Sequence, residues 1–257
     1  MIRWGAERVR GMEWEIHRFD EIGSTNDEAA AAGARGESAG WTAVARRQTA
    51  GHGRLGREWY SPMDAGLYVS VLVRPEISPE AVGLLSLCAG NAALYAVRKA
   101  GLKEAGIKWP NDLVIHGKKM CGILSVCRAG ERGIEWAVIG TGINLLPGAY
   151  PKEIADRATS LSEEGVEADR EQVLADYLEE LGRQIEKLEK GAEYVLEDLR
   201  KNCVTIGQKV VVSGGTDARG TAAGIGPGGE LVLETEDGET LHVTAGDVSV
   251  RTDGGYA

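Results

Sequence analysis

Between Ile107 and Leu145 the chain sets several strand-like runs end to end with only tight turns between them, and this limits the fold more than any other feature. Ile107–Asp112 (IKWPND) leads into Leu113–His116, a turn at Gly117-Lys118-Lys119, and the run Met120–Cys127 (MCGILSVC). A turn at Glu131–Gly133 and the run Ile134–Gly140 (IEWAVIG) follow. Parallel neighbours need a crossover of about a dozen residues or more. Strands this close form hairpins, which predicts a mixed, largely antiparallel sheet backed by helices rather than repeated βαβ units.

Trp14–Phe19 and Trp41–Arg46 read as further strands, and the apolar, β-branched run Leu67–Val73 (LYVSVLV) as a central one. Ser24 or Thr25 caps an alanine-rich helix that begins near Asn26. Pro79 and Glu80 open a long helix expected to reach about Ala105, with Gly106 as its stop. Arg170–Leu188 has amphipathic helical spacing, Gly191 breaks it, and Ala192–Asn202 forms a shorter helix. From Val204 the composition changes: glycines alternate with short β-rich runs over Lys209–Ser213, Gly220–Ile225, Glu230–Thr235, Thr240–Thr244 and Asp247–Arg251. Such a pattern predicts a small, partly closed β-barrel. The fold class is therefore α+β, with a leader over 1–13, a main domain over 14–203 and a β module over 204–257.

Lys+Arg 29 against Asp+Glu 39 gives a net charge of −10, which argues against a surface built as a platform for DNA or RNA. No apolar run is read as approaching the roughly 20 residues of a membrane span. MIRWGAERVRGMEW lacks the continuous apolar segment of a secretory signal, so no membrane association is expected. The cysteines Cys88, Cys121, Cys127 and Cys203 are scattered, predicting free thiols packed in a core and a reducing, cytoplasmic setting. Cys121 and Cys127 should share a sheet face.

Chemistry-bearing residues concentrate in loops. Gln48–Trp59 (QTAGHGRLGREW) alternates Gly51, Gly53 and Gly56 with Arg54 and Arg57 and closes on Trp59. Glycine lets backbone N–H groups approach a ligand, and arginine offers a planar fork to carboxylate or phosphate. The same composition also suits an ordinary surface loop. Ser24, Thr25 and Asn26 can cap a helix or present polar groups to a ligand. Asp112 suits a turn, or a divalent cation held against phosphate oxygens. Lys118 and Lys119 diverge if a strand starts there, so one of them, with Lys119 preferred, points towards an anion. Asn144 follows two glycines in Gly140–Leu145 (GTGINL). There is no G-x-x-x-x-G-K-[ST], G-x-S-x-G or H-E-x-x-H pattern, which excludes the sites those motifs build.

In this order and spacing, Ser24-Thr25-Asn26, QTAGHGRLGREW, KWPNDL at 108–113, KKMCGIL at 118–124 and GTGINL closely resemble the biotin–protein ligase (biotin–[biotin carboxyl carrier protein] ligase) family. The resemblance runs from about Trp14 to Arg251 and implies that the C-terminal module is an SH3-like barrel. It implies ATP-dependent attachment of biotin to a lysine of a biotin carboxyl carrier protein through biotinyl-5′-AMP. By match to the family pattern, Thr25, Gln48 and Ser24 would hydrogen-bond the ureido head of biotin, with backbone help from Gly51 and Gly122. Asn26, His52, Gly53 and Gly142 join the same binding set. Arg54 would meet the biotin carboxylate or the adenylate phosphate, and Lys119 the α-phosphate and reacting oxygen. Arg57 would bind the departing phosphates, and Asp112 would position Mg²⁺ there. Asn144 would contact the nucleotide, Trp59 would wall the adenine, and Arg251 would reach back from the β module. Lys119, Arg54 and Asp112 are the implied catalytic residues.

Two departures accompany the match. The loop reads GHGRLGR where GRGRRGR is frequent, so His52 and Leu55 replace arginines. Bifunctional members carry an N-terminal winged helix-turn-helix, whereas here the catalytic pattern starts almost at once; the expectation is a ligase without specific DNA binding. A homodimer is expected by analogy. A lipoate–protein ligase and a non-catalytic biotin or adenylate sensor are the alternative readings.

Overall fold

Gly66–Val73 is buried at every position, as a strand covered on both faces must be, and the rest of the main sheet grows outward from it. The computed structural model describes residues 2–3, 7–9, 12–130, 133–215, 217–246 and 248–252. In chain order, β1 (Ile2–Arg3), β2 (Glu7–Val9) and β3 (Met12–Ile22) precede α1 (Thr25–Ala34), β4 (Trp41–Gln48) and β5 (Gly66–Val73). Then come α2 (Gly83–Lys99), β6 (Gly106–Lys108), β7 (Asp112–Ile115), β8 (Lys118–Gly130) and β9 (Gly133–Asn144). Helices α3 (Arg170–Lys190) and α4 (Ala192–Asn202) lead to β10 (Lys209–Gly214), β11 (Ala218–Ile225), β12 (Leu231–Thr235), β13 (Thr240–Val243) and β14 (Val248–Thr252).

The main sheet runs β1-β3-β4-β5-β9-β8-β7-β6, with β2 pairing β3 off this path. Among the described strand pairs of this sheet, β3 and β4 run parallel and the others antiparallel, so the mixed, largely antiparallel sheet expected from the hairpin spacing is the one observed. One face carries α2, α3 and α4 over a continuous apolar core. The other carries α1, whose Ala29 and Ala32 lie against Trp41, Leu72, Trp136 and Val138; alanine keeps that helix close to the sheet. The C-terminal strands make a second antiparallel sheet, β13-β12-β11-β10-β14, open between its two end strands. It docks on the main body through Trp109, whose Nε1 donates to Gly229 O at 2.9 Å and whose backbone N donates to Thr205 Oγ1 at 3.0 Å.

Several expectations need correcting. Helix α2 stops at Lys99, not near Ala105, because Gly101 (φ +128°) takes the left-handed conformation; Gly106 instead begins β6. Residues read as a leader contribute β1 and β2, both paired with β3. The segment Pro79–Lys99 is, by length and composition alone, able to cross a membrane, but 67 % of its most apolar stretch is buried, as befits a core helix. Cys121 and Cys127 occupy alternate positions of β8, yet Cys127 is exposed where that strand runs past its cover, unlike buried Cys88, Cys121 and Cys203. Asn144 ends strand β9 rather than sitting in a loop. Asp247, expected in the last strand, lies outside the described residues.

Candidate functional site

The floor of the site is set by register in the sheet. Ser70 of β5 pairs with Gly140 of β9, which pairs with Leu124 of β8; one step along, Tyr68, Gly142 and Gly122 align in the same way. Alternation sends Leu67, Val69, Val71, Ile139 and Ile143 to the opposite, helix-covered face. Two aligned glycines leave a depression, and the indole of Trp59 lies in it. A Cβ on Gly142 would stand 2.3 Å from Trp59 Nε1, and one on Gly122 would stand 2.8 Å from the same ring.

Helix α1 and the end of β4 form one rim. Ser24 caps the helix by accepting from Asp27 N at 3.4 Å, as its position before the alanine run predicts. Thr25 donates through both its backbone N (2.8 Å) and Oγ1 (2.9 Å) to Gln48 Oε1, while Gln48 Nε2 donates to Ser61 Oγ at 2.8 Å. The Ser70 hydroxyl lies 2.8 Å from Thr25 Oγ1 and 2.7 Å from Asn26 Oδ1. Donors and acceptors are thus fixed in place before any ligand arrives.

The glycine–arginine loop folds back on itself: Gly53 N donates to Arg57 O at 2.7 Å and Trp59 N to Gly51 O at 2.9 Å. His52 Nε2 sits 2.9 Å from Asp27 Oδ2, tying the loop to the first turn of α1. Arg54 turns towards the C-terminal sheet. Its guanidinium donates to Asn111 Oδ1 at 2.9 Å, to Gly246 O at 2.8 Å and to the carbonyls of Ala245 and Val248. An arginine read from sequence as a ligand contact therefore also clamps the loop to the second sheet.

Lys119 is the second residue of β8, with its backbone fixed by Arg157 O (2.9 Å) and Thr159 N (2.9 Å). Its Nζ lies 2.6 Å from Asp112 Oδ1 and 5.3 Å from the centre of the Trp59 ring. Asp112 is buried opposite Lys108 in the β6–β7 hairpin. Lys108 is itself buried, and burial lowers its pKa to about 8; Asp112 pulls it up while Lys119, Arg251 and Arg54 push it down.

Two adjoining cavities result. The smaller, about 50 Å³, is bounded by Ser24, Thr25, Asn26, Gln48, His52 and the glycine floor. The larger, about 510 Å³, is bounded by Arg57, Lys108, Asp112, Asn144, Arg251 and the segment around Tyr150. Gly53, Arg54, Trp59, Asn111 and Lys119 face both and form the partition. Lys118 borders neither, so of the adjacent lysines it is Lys119 that turns inward. Gly51 lies behind the walls, where a Cβ would meet Trp59 O at 2.5 Å; it shapes the loop from beneath. Buried Asn144 donates to Thr159 O at 2.9 Å, and its Oδ1 has no hydrogen-bond partner among the described residues. Among those residues no group of three or more His, Cys, Asp or Glu could hold a metal.

The family profiles match in the same two places as the two sheets. The Biotin/lipoate A/B protein ligase family matches residues 22–144, and the biotin protein ligase C-terminal domain matches 205–251. A biotin–[acetyl-CoA-carboxylase] ligase of Mycobacterium tuberculosis is 37 % identical over 247 residues, covering 93 % of this chain and 90 % of that protein. This chain belongs to the biotin–protein ligase family. The bifunctional ligase/repressor BirA of Escherichia coli is 33 % identical over 213 residues, which cover 81 % of this chain and 66 % of BirA. The Aquifex aeolicus biotin protein ligase, solved in complex with biotin and ATP, superimposes with a TM-score of 0.79 at 29 % identity, covering 93 % of this chain and 99 % of that one.

Within this biotin–protein ligase, sequence reading passed over Ser70, Asn111 and the stretch from Ala149 to Ala158. Ser70 is the one serine in an otherwise apolar and aromatic strand, a signal that could have marked it. Asn111 lies inside the KWPND motif, and its Nδ2 donates to Ile123 O at 2.7 Å while its Oδ1 receives Arg54. The Tyr150 segment carries no motif; only the fold brings it to the cavity.

Proposed function

We propose that this chain activates biotin with ATP and transfers it to a lysine of a biotin carboxyl carrier protein. The observation that carries this reading is the position of Lys119 in the partition between a small polar cavity and a large cationic one. The small cavity offers the fixed donors and acceptors that a neutral ureido ring requires. Thr25, Gln48 and Ser24 serve that head, with Asn26 beside them. Trp59 lies over the glycine floor, so a bicyclic ring entering there moves the indole towards the larger cavity, where it walls the adenine.

In the first step an oxygen of the biotin carboxylate attacks the α-phosphorus. The bond to the α,β-bridging oxygen breaks, and pyrophosphate leaves with the electron pair. Lys119, oriented by Asp112, stabilises the negative charge that grows at that phosphorus. Arg57 and Arg251 draw the outgoing phosphates, and the Asn144 carbonyl accepts from the nucleotide. In the second step the uncharged amine of the carrier lysine attacks the acyl carbon, the bond from that carbon to the phosphate oxygen breaks, AMP leaves with the electron pair, and the nitrogen loses its proton to water. Arg54 holds the loop shut meanwhile, which shields the anhydride from water.

Mg²⁺ belongs to the same proposal. It binds through one or two carboxylates together with substrate phosphates, so the buried carboxylate of Asp112 on the wall of the larger cavity fits it; when bound it would neutralise phosphate charge. A homodimer pairing along a sheet edge and a cytoplasmic setting complete the reading. Pyrophosphate release from Mg-ATP should depend on biotin and not on lipoate; release with lipoate alone would redirect the substrate assignment.

A further inference from the structure

The turn between β7 and β8 is fastened to the main body by a histidine that sits between two carboxylates. His116 takes φ +49°, uncommon outside glycine, and its side chain is 64 % exposed. Its Nδ1 stands 3.0 Å from Glu164 Oε2, in the turn before α3, and its Nε2 3.3 Å from Glu104 Oε2, between α2 and β6. Ionised carboxylates only accept, so the ring donates to both of them only as the imidazolium. The Glu164 side chain is 14 % exposed, and its other oxygen accepts from Thr159 Oγ1 at 2.7 Å. Thr159 reaches the site: its backbone N donates to Lys119 O, and its carbonyl accepts from Asn144 Nδ2, each at 2.9 Å. Ala158 bridges Lys119 in parallel register, and it borders the larger cavity beside Arg157.

We propose that His116 is a positioning residue for adenylation: through Glu164 and Thr159 it fixes the segment that holds the Lys119 backbone and orients the Asn144 amide. This rests on the biotin–ligase reading and deepens it. His116, Glu164 and Thr159 border neither the smaller nor the larger cavity, so they act on ATP only through Lys119 and Asn144. The clasp also depends on pH. The hydrogen bond and charge of Glu164 outweigh desolvation and, with Glu104, raise the His116 pKa above 6.5. Because the folded pKa is the raised one, the clasp is complete below about pH 6.5 and is lost as pH rises through the folded value. The biotin head lies outside this chain of contacts, since Gln48 is held by Ser61 and Thr25 by Ser70.

The test separates the nucleotide side from the biotin side. Biotin-dependent pyrophosphate release gives the KM for ATP of wild type, His116→Gln and His116→Arg at about pH 6 and about pH 9, with the biotin dissociation constant as the control. At the lower pH His116→Gln should raise the KM for ATP about threefold or more, and His116→Arg should stay within about 1.5-fold of wild type. At the higher pH wild type should rise to meet His116→Gln, while His116→Arg keeps the lower KM. Ratios between variants at one pH cancel the titration of Lys108 and of ATP itself. Biotin affinity should stay within about twofold throughout. Adding His116→Gln to Glu164→Gln should cost nothing beyond Glu164→Gln alone, because the two side chains act as one unit. A KM in His116→Gln within about 1.5-fold of wild type at the lower pH would overturn the proposal. So would an equal gap at both pH values, a parallel loss of biotin affinity, or additive losses in the double variant. Failure of wild type to release pyrophosphate with biotin and ATP would instead defeat the underlying biotin reading.

Discussion

Replacing Lys119 by Met should slow biotin-dependent pyrophosphate release about 10²-fold or more, the scale of loss when a group facing developing charge is removed. The biotin dissociation constant should change far less, since the small cavity keeps Thr25 and Gln48. Near-normal turnover in Lys119→Met would show that the charge at the partition is not used. Gly142 gives a steric test. An alanine methyl there would stand 2.3 Å from Trp59 Nε1, so Gly142→Ala should displace the indole, shift tryptophan fluorescence and weaken biotin binding about tenfold or more. Wild-type affinity in that variant would mean that the depression over the glycines does not receive the vitamin. These residues were legible because a motif names them. Lys108 was legible as a lysine in KWPND but not as a buried one, since its burial comes from pairing with Asp112 across the hairpin, a fact of register.

Element packing depends on Asp64, which joins the β4–β5 connection to the start of α3. It accepts from Arg46 at 2.8 and 2.5 Å and from Arg170 at 2.9 Å, and these hydrogen bonds hold its carboxyl well below the usual carboxylate range. With the folded pKa below the unfolded value of about 3.9, the stabilisation is complete above pH ~4 and is lost as pH falls further towards the folded value. Asp64→Asn should therefore lower urea stability at pH 7, modestly because the side chain is 41 % exposed, and the gap to wild type should shrink below pH 4. An equal gap at pH 7 and pH 3 would contradict this. Nothing in the sequence near Asp64 points to Arg170, because the pair is 106 residues apart. By contrast α4 spans Ala192–Asn202 as its apolar spacing and the Gly191 break predict, since both signals are local. The end of α2 is ambiguous even locally: Gly101 and Gly106 both offer a stop, and the chain takes the first.

Across the whole molecule, the second sheet is coupled to the first through the site itself. Trp109 leaves the KWPND turn to bond Gly229 O, while Arg54 leaves the glycine–arginine loop to bond the carbonyls before and within β14. Trp109→Phe removes the buried donor to Gly229 and should cost about 1–3 kcal/mol in denaturant unfolding, with both sheets still melting in one transition. A separate early transition of the C-terminal sheet would show that the two are not coupled. The composition change near Val204 revealed that this sheet exists, but not that it completes the wall of the larger cavity, which needs contacts from distant segments. The central claim is that this wall, the partition and the small cavity together join biotin to AMP and then to a carrier lysine. Intact mass spectrometry of a biotin carboxyl carrier domain incubated with this protein, biotin and Mg-ATP tests that most directly. The account predicts one biotinyl adduct on one lysine, dependent on ATP and abolished by Lys119→Met; an unmodified carrier with folded wild-type protein would contradict it.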